Sequence, residues 1–99
     1  MTIAAIAPTN VVNLPLSTTS VNVQLNTTGT PTTALVANLG EHLAFVQLGT
    51  SNAVAASVVT SIAVPPFPAP PVALTLGANT WIAGISLAGV GNLNIALGT

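Results

Sequence analysis

Apolar and amide side chains alternate with a period of two along much of this chain, and that alternation fixes what it can fold into. Val21, Val23 and Leu25 alternate with Asn22, Gln24 and Asn26, and Leu93, Ile95 and Leu97 alternate with Asn92, Asn94 and Ala96. Successive strand residues point to opposite faces, so each run makes a strand with one buried and one wet side. Trp81, Ala83, Ile85 and Leu87 form another row, with Thr80, Gly84 and Ser86 opposite, and Val58, Thr60, Ile62 and Val64 form a further one. Val, Ile and Thr suit a pleated surface. The Ala-rich stretch 53–57 has neither a capping box nor a period of 3.6, so no helix is expected there.

Turn chemistry divides the runs. Asn26-Thr27-Thr28-Gly29-Thr30-Pro31, Leu39-Gly40-Glu41, Gly49-Thr50-Ser51-Asn52, Gly77-Ala78-Asn79 and Ala88-Gly89-Val90-Gly91-Asn92 all interrupt the alternation with residues that tolerate tight reversals. Strands are expected near 10–16, 21–26, 33–39, 42–48, 54–63, 72–77, 80–87 and 92–98. The breaks at 39–41 and 77–79 are short enough for hairpins. The proline-rich stretch 65–71 cannot donate a hydrogen-bond ladder, and is expected to run extended from one sheet or edge to another. About eight short antiparallel strands at this spacing predict an all-β, two-sheet sandwich, jelly-roll-like in its strand count. It forms one domain over 10–99. The apolar stretch 1–9, set apart by Pro8, is read as an arm or an edge strand.

Charge is almost absent. The 99 residues include no Lys or Arg and one acid, Glu41, so the charged fraction is 1%, against about a quarter in ordinary domains. Nucleic-acid binding depends on cations that displace phosphate counterions, and no such set exists here. Attachment to anionic lipid fails for the same reason. With no cysteine there is no disulfide and no thiolate metal site. Residues 1–7 carry no basic n-region, so no secretory leader is expected. The uncharged window 43–64 is long enough to span a bilayer, but it holds Gln47, Thr50, Ser51 and Asn52 and has no flanking cation, which argues against a membrane helix. Disorder is excluded by the abundance of aliphatics, 51% of the chain being hydrophobic.

Little chemistry remains. Glu41 and His42 are the side chains suited to acid–base work near neutral pH, and as neighbours in extended backbone they would point apart. They read as solvated turn residues, so no catalysis, no cofactor and no small-molecule substrate is expected. Three copies of His42 around a trimer axis would be the one route to a metal site, and an isolated turn histidine is the commoner arrangement. Asn26-Thr27-Thr28 matches a glycosylation sequon that matters only in a secretory setting. Gly89-Val90-Gly91 lacks the lysine and following helix of a phosphate loop.

Several strands are apolar on both faces. Leu43 and Phe45 oppose Ala44, Val46 and Leu48; Leu35, Ala37 and Leu39 oppose Ala34 and Val36; Ile82 opposes Trp81. A two-sheet sandwich buries one face of each strand, so the second faces need another cover, for which a neighbouring subunit is the simplest source. The interface candidates are therefore Ile3, Ile6, Val36, Val46, Leu48, Phe67 and Ile82. Phe67 is read first as an anchor of the proline segment in its own core and second as a docking side chain. Trp81 is expected in the core.

The run Leu35-Val36-Ala37-Asn38-Leu39-Gly40, then His42-Leu43-Ala44-Phe45-Val46-Gln47-Leu48-Gly49, the proline stretch, Leu74-Thr75-Leu76-Gly77-Ala78-Asn79-Thr80-Trp81-Ile82-Ala83-Gly84-Ile85 and the closing Gly91-Asn92-Leu93-Asn94-Ile95 resembles the small β-sandwich decoration (cement) and head-fibre proteins of tailed bacteriophages. The resemblance covers residues 33–99. It implies a jelly-roll-like module, dimeric or trimeric, clamped on the outside of the major capsid protein lattice. Such a protein would be made in the host cytoplasm and carried on the outer capsid surface of the virion. The alternative is a tail- or head-fibre module for host attachment. Abundant threonine hints at ice binding, but regular Thr-x-Thr repeats are missing. Contacts made without charge should hold across salt concentrations, and so few titrating groups predict a stability nearly flat in mid-range pH.

Overall fold

A computed structural model describes residues 8–25, 27, 30–66 and 68–98, with the side chains of Pro8 and Thr9 excepted. Eight strands follow one another: β1 (Pro8–Leu16), β2 (Val21–Gln24), β3 (Thr33–Asn38), β4 (Ala44–Gly49), β5 (Ile62–Val64), β6 (Val72–Thr75), β7 (Trp81–Ser86) and β8 (Gly91–Gly98). There is no helix among the described residues. The window 43–64 folds as β4, a loop and β5, and no helix among the described residues is long and apolar enough to cross a membrane.

The strands form two four-stranded antiparallel sheets, one ordered β1-β8-β3-β6 and the other β2-β7-β4-β5. The pairing has a simple logic. β1 pairs with β8, β2 with β7, β3 with β6 and β4 with β5, as in one long antiparallel ribbon doubled back between β4 and β5. The ribbon is then rolled, so that β8 meets β3 and β7 meets β4. That is a jelly roll, and the all-β sandwich expected from the sequence is what forms.

The rolled topology corrects the two expected hairpins. β3 and β4 lie in different sheets, as do β6 and β7, so the turns at 39–41 and 77–79 are corners between sheets. Gly77, at φ 57°, still serves a tight reversal, but the reversal carries the chain across the sandwich. The prolines of 65–71 make the expected crossing, from β5 in the second sheet to β6 in the first, and Pro66 bridges Asn38 on the way. The strand expected over 54–63 is the largest misplacement. Only Ile62–Val64 is strand, and 58–60 form a turn across which Ser57 N–H donates to Ser61 Oγ and Ser61 N–H to Ser57 O. β1 begins at Pro8 and not at residue 10, with a register shift between Pro8 and Asn10.

Leu14, Leu16, Leu25, Ala34, Val36, Ala44, Val46, Val64, Leu76, Ile82, Leu93, Ile95 and Leu97 form the core between the sheets. Among the described residues it contains no aromatic side chain. Small residues let the sheets approach: a Cβ added at Gly84 would stand 2.7 Å from Leu16 Cδ2 and 3.1 Å from Leu14 Cδ2, both reaching over from the opposite sheet. Asn38, buried at the end of β3, ties the sheets together. It donates to Val64 O at 2.9 Å and to His42 O at 2.8 Å, and accepts from Gly40 N–H at 2.9 Å.

Candidate interaction surface

Sheet parity decides which side chains a partner can reach. In the second sheet the inward residues are Val21 and Val23 of β2, Ile82, Gly84 and Ser86 of β7, and Ala44 and Val46 of β4. The outward rows are therefore Gln24–Trp81–Gly49, Asn22–Ala83–Gln47 and Ile85–Phe45–Ala63. This face is apolar, as the sequence suggested, but the chain covers much of it. Residues 50–61 leave β4, cross to β2 and return to β5. Asn22 Nδ2 donates to Asn52 O at 2.9 Å and Val54 O at 3.4 Å, and Ala56 N–H donates to Ser20 Oγ at 2.9 Å. On the return, Ser61 Oγ donates to Gln47 Oε1 at 3.4 Å. A Cβ at Gly49 would stand 2.6 Å from Val54 Cβ, so Val54 rests directly on the outer face. Ala83, in the middle row of that face, is 0% exposed, and Trp81, Phe45 and Ile85 are half-buried.

Several interface candidates change place accordingly. Val36, Val46 and Ile82 are fully buried and belong to the sandwich's own core, so none of them is a contact for a partner. Leu48 is half-buried and packs against that core. Trp81, expected inside, sits half-buried on the outer face, paired with Gly49 on which Val54 rests. The inside and outside of β3, β4 and β7 are reversed relative to expectation because both faces of these strands are apolar and alternation alone does not choose between them. Ile3, Ile6 and Phe67 lie outside the described residues.

The first sheet presents a different outer face. Its rows run Val11–Ala96–Leu35–Ala73, Asn13–Asn94–Ala37 and Pro15–Asn92–Leu39. None of these residues is buried; Val11 is 57% exposed and Leu39 59%. Asn94 Nδ2 donates to Asn13 Oδ1 at 3.4 Å within the face. In the last row Asn92 Oδ1 is shielded from water without a hydrogen-bond partner among the described residues. No described segment bonds across this face, and no ionisable side chain stands on it. Sequence reasoning missed this surface. Reading Val36 as an outward contact turns Leu35, Ala37 and Leu39 inward, and Pro15 signals only that β1 has an open edge, where its missing N–H faces no neighbouring strand.

At one end of the sandwich the corner 39–43 and the loop 87–90 lie side by side. Leu87 N–H donates to Leu43 O at 2.8 Å, and a Cβ at Gly89 would stand 3.4 Å from His42 Nε2. Glu41 and His42 are both exposed there, beside the exposed Leu39, Leu87 and Val90. Apolar tips around two polar side chains suit contact with another protein better than chemistry on a small molecule. No group of three or more metal-ligating side chains occurs among the described residues.

The fold and surface define a jelly-roll β-sandwich whose two outer sheet faces carry no ionisable side chain among the described residues. No protein-family description matches the chain, and no curated protein matches it.

Proposed function

We propose that this chain is a structural subunit that docks on a protein shell: a decoration (cement) protein bound to the outer surface of a tailed-phage major capsid lattice, associated there with copies of itself. The observation that carries the reading is the outer face of the first sheet, which no described segment covers and which is continuous through Leu39 with the apolar end of the sandwich. A standard interface takes about 800 Å² from each partner, roughly a sixth of the molecule's 5151 Å² surface, and one sheet face with its adjoining end is of that order. Surface fit supplies the binding energy without any reacting group. Binding to the assembled lattice alone stabilises that lattice by linkage, in proportion to occupancy.

The test is sedimentation of the purified chain with expanded and unexpanded heads of the phage that carries its gene. Saturable co-sedimentation with expanded heads, a raised head melting temperature and binding retained from low to high salt are the expected results. Absence of binding to either form, or binding abolished by moderate salt, overturns the proposal.

A further inference from the structure

We propose that two copies of this chain pair through the free edges of β1, antiparallel about a two-fold axis, so that their first sheets join into one eight-stranded sheet. The inference stands apart from the capsid reading, since it rests on the backbone of one strand.

The phase of that backbone follows from its neighbours. Leu39 N–H donates to Asn92 O at 2.9 Å, which places Asn92 among the β8 residues whose backbone groups face β3. In an antiparallel ladder these alternate with residues facing the other way. Leu93 and Ile95 of β8 therefore face β1, where they stand opposite Leu14 and Val12. Val12, Leu14 and Leu16 consequently bond to β8, while Val11, Asn13 and Pro15 turn their backbone groups to the open edge. Pro15 confirms this phase, because it has no N–H to give to β8. The edge thus offers the N–H and C=O of Val11 and Asn13, and no hydrogen bond from the described residues reaches them.

Natural sheets blunt such edges with short strands, charges, or prolines in mid-strand. The other edge strands here do so. β2 and β6 have four residues each, β5 has three, and prolines 65–66 and 70–71 flank β5 and β6. β1 has nine residues, no charged side chain, and prolines only at Pro8 and Pro15. A second copy is the occupant these features select. An antiparallel edge is complementary to itself, and no like charges oppose the approach. Centred on Val12, the pairing would give each Val11 N–H the second copy's Asn13 carbonyl and each Asn13 N–H its Val11 carbonyl. It would also set two bare outer faces side by side.

Native mass measurement at micromolar concentration tests the proposal on the full chain. The expected particle is twice the 9.7 kDa chain. Val11→Pro and Asn13→Pro each remove one outward N–H and no bond to β8, so each should yield a monomer with an unchanged β-sheet circular dichroism spectrum. Amide exchange on the natural sequence covers the case of a variant that fails to fold. The Val11 and Asn13 amides should exchange at least tenfold more slowly as concentration rises through the dimer range. A monomeric or trimeric natural chain, a dimer untouched by either proline, or protection independent of concentration overturns the proposal.

Discussion

The two outer faces of this sandwich begin from the same sequence problem and reach different ends. Each includes strands that are apolar on both sides, β3 in the first sheet and β4 and β7 in the second. The second sheet carries the bulkier outward residues, Phe45, Trp81 and Ile85, and residues 50–61 are laid over it. The first sheet carries Val11, Ala96, Leu35 and Ala73 in one row, and no described segment covers them. A jelly roll leaves both outer faces open unless a loop is long enough to cross one, and only the β4–β5 connection turns back within its own sheet. That connection, residues 50–61, is as long as ordinary loops become before they acquire a task of their own. A two-faced strand pattern therefore does not by itself call for a partner: one face here is covered from within, and no described segment covers the other.

The strongest way to break the comparison is to unfasten the sheets from each other. Asn38→Ala leaves Val64 O, His42 O and Gly40 N–H without their partner at the join between β3, β5 and the 39–43 corner. Buried groups left unpaired cost about 1–3 kcal/mol each, less where water reaches them, so the variant should lose about 2–4 kcal/mol. Urea unfolding should show it, with a melting temperature lower by more than about 10 °C. A loss under about 1 kcal/mol would mean that the sheets are held by apolar packing alone.

The cover itself comes next. In Gly49→Ala the new methyl group would meet Val54 Cβ at 2.6 Å, close to the backbone and unable to swing aside. Overpacking of this kind costs about 1–3 kcal/mol. Residues 50–61 should lift, and the sole tryptophan, Trp81, should report it through a red-shifted emission and easier quenching by iodide. Gly84→Ala sharpens the comparison. Its added methyl group meets the tips of Leu16 and Leu14 between the sheets, so stability should fall with Trp81 emission unchanged. Asn22→Ala removes the bonds to Asn52 O and Val54 O and should cost about 0.5–1.5 kcal/mol, with a smaller emission shift in the same direction.

Much of this architecture was legible in the sequence, and the part that was not has a physical reason. Where one face was polar, as in Val21–Leu25 and Leu93–Leu97, alternation gave both the strand and its inward side, because only one side had apolar surface to hide. In β3, β4 and β7 both sides were apolar, and the choice fell to packing. Ala34, Ala44, Gly84 and Ser86 are small enough to let two sheets close, whereas Phe45 and Trp81 are not, so the small residues went inside and the aromatics out. The row Val58, Thr60, Ile62 and Val64 imitated a strand because alternation says nothing about the serines that pair Ser57 with Ser61 in a turn. Turn residues at 39–41 and 77–79 marked where the chain reverses but not which sheet receives the next strand. The uncovered face left no sequence signal of its own; Pro15, whose missing N–H fixed the phase of β1, marked only the open edge of that strand.

The smallest expected effect on the isolated fold is the most informative about the bare face. Val11→Thr keeps the shape of the side chain and Ala73→Thr adds a short polar branch, at the two ends of the outward row and at positions that touch mainly water. Exposed substitutions of this kind lie within about 0.5 kcal/mol, and threonine suits a strand, so thermal melting of the monomer should hardly move. Docking should respond quite differently. If the row is contact surface, each hydroxyl becomes a polar group to be dried on binding, and the pair together should weaken association with a shell at least tenfold while the natural and double-variant chains melt alike. The same two substitutions leave the backbone of β1 intact, so the two-fold dimer should persist. Weakened docking with an intact dimer would assign the outer face to the shell and the β1 edge to the second copy; loss of both would show that a single surface serves both contacts.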